Sequence, residues 1–504
     1  MSRYLVILLS LYSATSALSI PFIHDAEQTV FNTHAPADLP HPNPTHSFWT
    51  HTPGANPLAG VGSTGALTDE ADVCIIGAGI TGVSAAYHFA NTVGESAFPI
   101  PEGETKLRVV VLEARDFCEF RCHGWRNGGN LTPYEFLEFR KVEAQFGREA
   151  AMRYYAMEHY TSTEMARIAR AGGWADAVDL VEGGHMDVML TEARLAEVRA
   201  DFDAAIAAGK RVNVTWLSRE DMQSAYGTYN WGVRSPGYNV WSLKFVTQLF
   251  RQANATARSA LDLRLHTRTP VTSITPLSAS VSARKWALDT PRGAVKCTYV
   301  VHATNAYASH LLPHMAGPGP AGIVPVRGQV LAMRANASLA ALSTTSWVGN
   351  AGYWFPRPVH SADEAPLVIL GGARTAAGAP FEVGVTDDGE INPSVGRVLR
   401  AFLPALFPGM YEPGREPEAE WTGIMGYTTL NIPFVGPVLD VARPDAHAGQ
   451  FIAAGYAGHG MPRAFACAEA VVGMIAAERA GRVWEAPAWF PAPFLTGVRD
   501  APQE

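Results

Sequence analysis

Cysteine is scarce, charge is sparse, and long apolar runs are missing beyond the first twenty residues. Only five cysteines occur among 504 residues, too few and too odd a number for a disulfide scaffold. Cys118 and Cys122 are spaced C-x3-C, and neither a C-x2-C pair nor an H-E-x-x-H motif occurs, so no metal site is expected. Charged residues are 17% of the chain, and Asp plus Glu (47) outnumber Lys plus Arg (39), for a net charge of −8. No basic block interrupts that balance, which excludes the electropositive footprint of a nucleic-acid binder. Past residue 20 no apolar stretch reaches the length of a membrane span, so no span is expected once a leader is removed. Apolar residues make up 47% of the chain, enough to fill the cores of several domains.

The N-terminus has a pattern of its own. A short basic start (MSR) leads into the apolar run YLVILLSLYSA (residues 4–14) and then small residues. This is the layout of a secretory signal peptide over residues 1–19, with an uncleaved anchor or a buried strand as the alternative. The secretory pathway or the extracellular space is therefore the expected destination, and the cytoplasm the alternative. Sequons at Asn130, Asn213, Asn254 and Asn336 agree with a glycoprotein on that route. Residues 20–68, rich in Pro, His, Asn and Thr, read as an extended surface arm anchored by Phe48 and Trp49.

At residue 71 the character changes. In ADVCIIGAGITGVSAAYHFA a buried β-type run meets a G-x-G-x-x-G turn that opens into a small-residue helix. Each glycine has a job there: Gly77 permits the tight turn, Gly79 lets a pyrophosphate approach the backbone, and Gly82 lets helix and strand pack closely. Ala78, Ile80 and Thr81 complete the loop, and the helix N-terminus adds partial positive charge. A second strand, LRVVVLEAR, ends in Glu113 followed by Ala114 and Arg115. A carboxylate there accepts from ribose hydroxyls and repels a 2′-phosphate, which favours an ADP moiety over NADP. Nearly four hundred residues later, FIAAGYAGHGMPRAFACAEAVV (residues 451–472) repeats the strand–glycine turn–helix pattern. Between the two, residues 133–172, 190–208 and 392–406 read as helical, and residues 261–274, 286–308, 324–333, 352–358 and 366–374 as strands and hairpins.

Several separated stretches point to one family: SFWTHTPGANPLAG, the first glycine turn, VVVLEAR, RNGGNLTP, VPVRGQVL (residues 324–331), WTGIMGYTTLNIPFVGPV (residues 421–438) and the second turn. The chain from about Ser47 to Gly481 resembles the D-amino-acid-oxidase-type FAD-dependent oxidoreductases, which include glycine, sarcosine and γ-glutamylputrescine oxidases. The resemblance implies an α/β fold. A Rossmann-type FAD-binding domain, discontinuous in sequence (69–135, 239–312 and 423–484), would carry a second α+β substrate domain on a mixed, largely antiparallel sheet (136–238 and 313–422), with a tail at 485–504. The first turn would hold the ADP half of FAD. Gly455, Gly458, His459, Gly460 and Met461 of the second would approach the flavin ring, Gly460 and Met461 through their amides.

The same resemblance implies that Arg126, Asn127, Gly128 and Gly129 run alongside the flavin. Arg115 would contact the adenosine end, the Val271 backbone the adenine, and Ala303, Thr304 and Asn305 the pyrophosphate. The segment CEFRCHGW (residues 118–125) is bulkier than the family pattern, and Leu430 stands where relatives often have an acidic residue. His123 and Cys122 lie where some related enzymes attach flavin covalently, but the match is not residue for residue, and non-covalent FAD is expected. For substrate, Arg327 and Gln329 are the first candidates; an Arg fork suits a carboxylate, and its alternative is a salt bridge within the fold. Tyr353 would wall the pocket, and His459 either stabilises reduced flavin or caps the helix. The implied reaction oxidises the C–N bond of a small amine or amino acid by hydride transfer to flavin N5, with molecular oxygen giving an imine and H2O2. The alternatives are a dehydrogenase using another acceptor and a flavin-binding protein with impaired turnover.

Overall fold

The computed structural model describes residues 35–93, 106–118, 129–256, 260–280, 282–349, 352–359, 361 and 364–498. The leader at 1–19, Arg126, Asn127 and Gly128, and the loop with Cys122 and His123 lie outside the described residues.

The apolar run before the first glycine turn forms β1 (Glu70–Ile76), and VVVL forms most of β2 (Leu107–Leu112). They join β3 (Leu261–His266), β4 (Gly293–His302), β5 (Phe434–Pro437) and β6 (Gln450–Ala454) in the order β5-β6-β4-β1-β2-β3. Along this path from β6 to β3 neighbouring strands pair in parallel, and edge strand β5 runs antiparallel. Such a sheet is covered on both faces, which is why its strands are apolar throughout rather than alternating. In β1, Val73 and Ile75 pack beneath the helices, while Cys74 and Ile76 join Val110, Leu112, Trp286 and Leu288 on the other face. That second face is roofed by the antiparallel strands Ser273–Pro276 and Trp286–Thr290, the latter paired to β4. A disulfide links Cys74 of β1 to Cys297 of β4.

Three helices flank the glycine turns: α1 (Ile80–Thr92), α2 (Arg148–Ala171) and α3 (Ala464–Arg479). α1 and α3 are rich in alanine and buried along most of their length, so they pack closely on each other and on β1 and β6. The helix Ser242–Thr256, unforeseen in the sequence, lies on the other flank of α1.

The second sheet follows the order Ala419–Tyr427, Val324–Arg334, Leu367–Gly372, Gly352–Pro356, Ser346–Gly349, His185–Met189, Trp231–Ser235, Thr215–Leu217. Among the described residues its only parallel pairing joins Ser346–Gly349 to His185–Met189, so it is the mixed, largely antiparallel sheet expected. Its first strand crosses the expected 422/423 join. The N-terminal arm differs from a surface ribbon. Ser47 caps a short helix, Phe48–His51, and Trp49 is fully buried, edge-on to Trp241 at 5.4 Å. The Arg357 guanidinium sits 5.0 Å from both indole rings and pairs with Asp179, so a buried cation is shared by two aromatic faces and a carboxylate.

Candidate functional site

Because β6, β4 and β1 are adjacent and parallel, the two glycine turns leave the same edge of the sheet. They stand two strands apart, roughly 10 Å. Ligands of open α/β sheets bind at this carboxyl edge. Asn305, just past the end of β4, holds the second turn: its Oδ1 accepts from the Gly455 amide at 2.8 Å and the Tyr456 amide at 3.4 Å. Thr81 Oγ1 in the first turn lies 3.0 Å from the Tyr456 hydroxyl in the second.

The first turn has the geometry its glycines imply. Gly77 has φ +106°, and a Cβ there would stand 2.7 Å from the Ala303 carbonyl oxygen. A Cβ on Gly82 would come within 1.9 Å of the Gly77 carbonyl oxygen. α1 starts from Gly79 and α3 from Arg463, and neither has a side-chain cap, whereas Thr191, Ser218 and Asn392 cap helices away from this edge. Helix ends left without caps offer amides and partial positive charge to an anion. The Glu113 carboxylate is buried and fixed by the Ala78 amide at 2.8 Å and the Arg115 amide at 3.0 Å. Thr304 Oγ1 and Asn305 Nδ2 are buried without a hydrogen-bond partner among the described residues. A cradle closed to side chains, two uncapped helix ends, a rigid carboxylate and orphaned polar atoms together fit a long dinucleotide such as FAD.

The remaining sequence candidates fall in several places. Ile80 and Ala78 are buried in the first turn, and Ala114 packs partly against Ala37 and Ala306. Arg115 Nη1 reaches Asp388 at 3.5 Å and the His41 carbonyl at 3.4 Å, which ties the arm to the sheet edge. Val271 buries its side chain in the cluster beneath β1 and β2. Gly129 accepts from the Val240 amide at 3.0 Å. In the second turn Gly460 and Met461 are buried, while Gly458 is exposed.

Two substrate candidates are occupied within the fold. Arg327 pairs with Glu382 and donates to the Asp387 carbonyl at 3.1 Å, which is the salt-bridge alternative. Gln329 donates to Glu420 at 2.7 Å and accepts from the Asn392 amide at 2.8 Å, fixing the start of the helix Pro393–Leu406. Tyr353 stands opposite Gly371 in the second sheet.

His459 is different, and its partner was not foreseen. Its Nε2 lies 3.0 Å from Glu158 Oε2, and its ring stacks on Tyr134 at 4.1 Å. Glu158, on α2, is fully buried; it also accepts from Arg463 Nε and the Tyr134 amide, each at 2.8 Å. Burial alone would raise the pKa of this carboxyl, but the pull of His459 and Arg463 and the hydrogen bonds outweigh it and hold it at about 2. Tyr134 also lines a small cavity with Pro133, Phe136, His185, Asp187 and Ser235. His185 Nε2 and Asp187 Oδ2 are 4.0 Å apart there, and His185 Nδ1 is 2.7 Å from Ser346 Oγ. Burial lowers the His185 pKa to about 3, with His459 adding to the effect. Burial also raises the Asp187 carboxyl to about 7, against the opposing pull of Arg194. None of Glu158, His185 and Asp187 carries a sequence signal, because each sits in an ordinary helix or strand pattern.

A parallel sheet with two glycine turns at its carboxyl edge has the architecture of a dinucleotide-binding protein. The chain belongs to the FAD-dependent oxidoreductase (DAO) family, whose model matches residues 72–474. No curated protein matches it significantly. Among solved structures it is similar to glycine oxidase from Geobacillus kaustophilus (18% identity, 85% of this chain and 98% of that one, TM-score 0.60). It is also similar to L-amino acid deaminase from Proteus myxofaciens in complex with anthranilate (15%, 91% and 97%, TM-score 0.61). A third is L-proline dehydrogenase from P. horikoshii (16%, 85% and 98%, TM-score 0.58). At these identities the likeness shows the shared fold. The protein is therefore an FAD-dependent enzyme with a Rossmann-type fold, as the sequence led one to expect.

Proposed function

We propose that this enzyme oxidises the C–N bond of a small amine or amino acid, with molecular oxygen as acceptor. The observation that carries the proposal is the convergence of titratable groups from the second sheet onto the second glycine turn. Tyr134, on whose ring His459 of that turn stacks, lines a cavity together with His185 and Asp187. The names of the similar structures, an oxidase, a deaminase and a dehydrogenase of amino acids, support the substrate class.

FAD, when bound, supplies the two-electron oxidation of the substrate carbon. The first turn, Glu113 and residues 303–305 would hold its nucleotide half without a covalent bond, and the second turn its ring. On this reading Glu158 stays anionic and fixes the His459 ring, which Tyr134 locks in orientation. Asp187 takes a proton from the substrate ammonium, because only a neutral amine gives up hydride readily. The second sheet and residues 133–137 keep bulk water out of the cavity.

The test is a visible spectrum of the purified holoenzyme with a panel of amines and amino acids. Bleaching under argon, and peroxide formed in air with one of them, are the expected outcome. Bleaching without peroxide would point to another acceptor, and no bleaching with any amine would sink the substrate class. Acid precipitation should release all the flavin. We also infer a secretory route from residues 1–19, the Cys74–Cys297 bridge and the exposed Asn213, Asn254 and Asn336. Endoglycosidase treatment of the protein from its native host should then lower its mass.

A further inference from the structure

A second group of ligating side chains lies at the opposite end of β6 from the glycine turn. The loop from β5 to β6 carries Asp440 and His447, and His314 approaches it from the short turn Pro313–Met315. Each offers one ligand atom, and the three atoms lie within 4.8 Å of one another. His447 Nε2 is 4.0 Å from Asp440 Oδ2, and the two imidazole rings are 5.0 Å apart between centroids. Both nitrogens of both rings are buried, and none makes a hydrogen bond of ordinary geometry among the described residues, although the Leu439 backbone lies near His314 and the Gln450 side chain near His447. Buried polar atoms are ordinarily satisfied, and ring nitrogens without a well-formed hydrogen bond on two facing histidines beside a carboxylate make a candidate ligand set.

We propose that His314, Asp440 and His447 bind one divalent cation of the zinc class, with water completing the shell. Two imidazole nitrogens and one carboxylate oxygen suit zinc or a neighbouring transition metal better than magnesium or calcium, which prefer all-oxygen sites. Ligand atoms around tetrahedral zinc stand ~3.4 Å apart, so the trio has to draw in by about 1 Å. One cation already stands at the carboxylate: Arg443 donates to Asp440 Oδ2 through Nε at 3.0 Å and Nη2 at 2.9 Å. Its side chain is 65% exposed, so it can swing into solvent when a metal arrives. The Ala442 amide, 3.0 Å from Oδ1, would keep the carboxylate oriented. The ion would pin the β5–β6 loop to residues 313–315 and so brace β6, whose far end carries the second glycine turn. The ligands come from positions 314, 440 and 447, which explains why no compact motif announces them.

The test is calorimetric titration of the chelator-treated holoenzyme with Zn2+. One ion per chain is expected, with a thermal midpoint that rises with zinc concentration. The double variant His314→Gln/His447→Gln should bind on the order of tenfold more weakly or worse, and Arg443→Gln should bind more tightly, with the flavin absorbance ratio unchanged in both. Failure of both wild type and Arg443→Gln to bind would overturn the proposal. So would equal affinity in the double variant, which would place the ion elsewhere, for example at His41, Asp387 and Asp388. Should the double variant not fold, X-ray absorption at the zinc edge of the loaded wild type decides the matter. Two imidazole shells support the site, and their absence rules it out.

Discussion

Glu158 keeps its charge in the interior because Arg463, His459 and the Tyr134 amide meet it from three directions. Removing that charge strands a buried guanidinium, since Arg463 is 1% exposed. Glu158→Gln should therefore cost ~3–5 kcal/mol of stability, read from urea unfolding of the holoenzyme. The pH dependence has a definite sign. The folded pKa of about 2 lies below the ordinary 4.5, so the stabilisation is complete above pH 4.5 and drains away as pH falls toward 2. The variant's acid unfolding curve should lose that segment. Asp187 runs the other way, since burial lifts it to about 7. On the proposed role, kcat/KM should rise through pH 7 as the carboxylate forms. In Asp187→Asn that limb should disappear from the pH–rate profile while flavin content is retained. An unchanged profile would remove Asp187 from the proton's path.

At the scale of elements, the first turn depends on strand and helix approaching more closely than any side chain permits. Gly82→Ala puts a methyl group 1.9 Å from a backbone oxygen, which α1 can relieve only by moving away from β1. The expected result is folded protein purified with little or no flavin. The first two amides of the second turn depend on a side chain from the end of β4. Asn305→Ala leaves the Gly455 and Tyr456 amides without their acceptor, at about 1–3 kcal/mol for buried donors. FAD affinity should fall by about tenfold or more in fluorescence titration, and an unchanged dissociation constant would detach Asn305 from the cofactor site. Gly77, Gly82 and Glu113 were legible in the sequence because a steric or electrostatic demand of the backbone admits few residue types. Glu158 was not, because a glutamate in an Ala-, Glu- and Arg-rich helix looks like any solvent-facing charge. Arg327 was misleading for the same reason: its partner, Glu382, is 55 positions away and unmarked by spacing.

Across the whole molecule, strands from residues 70 to 454 interleave in one sheet, so the carboxyl edge is assembled from segments far apart in the chain. Length, sparse charge, the doubly buried apolar strands and the two glycine turns determined, in sequence alone, that a Rossmann-type sheet would form and would take a dinucleotide. Local sterics and burial act on neighbouring residues and leave their mark in composition and spacing. Only the tertiary structure decided that β4 stands between the two turns, that Asn305 holds the second turn and the Thr81–Tyr456 contact joins it to the first, and that α2 delivers Glu158 beneath His459. Those choices depend on how strands order themselves in space, and charge pairing across hundreds of residues has no periodicity from which it can be read.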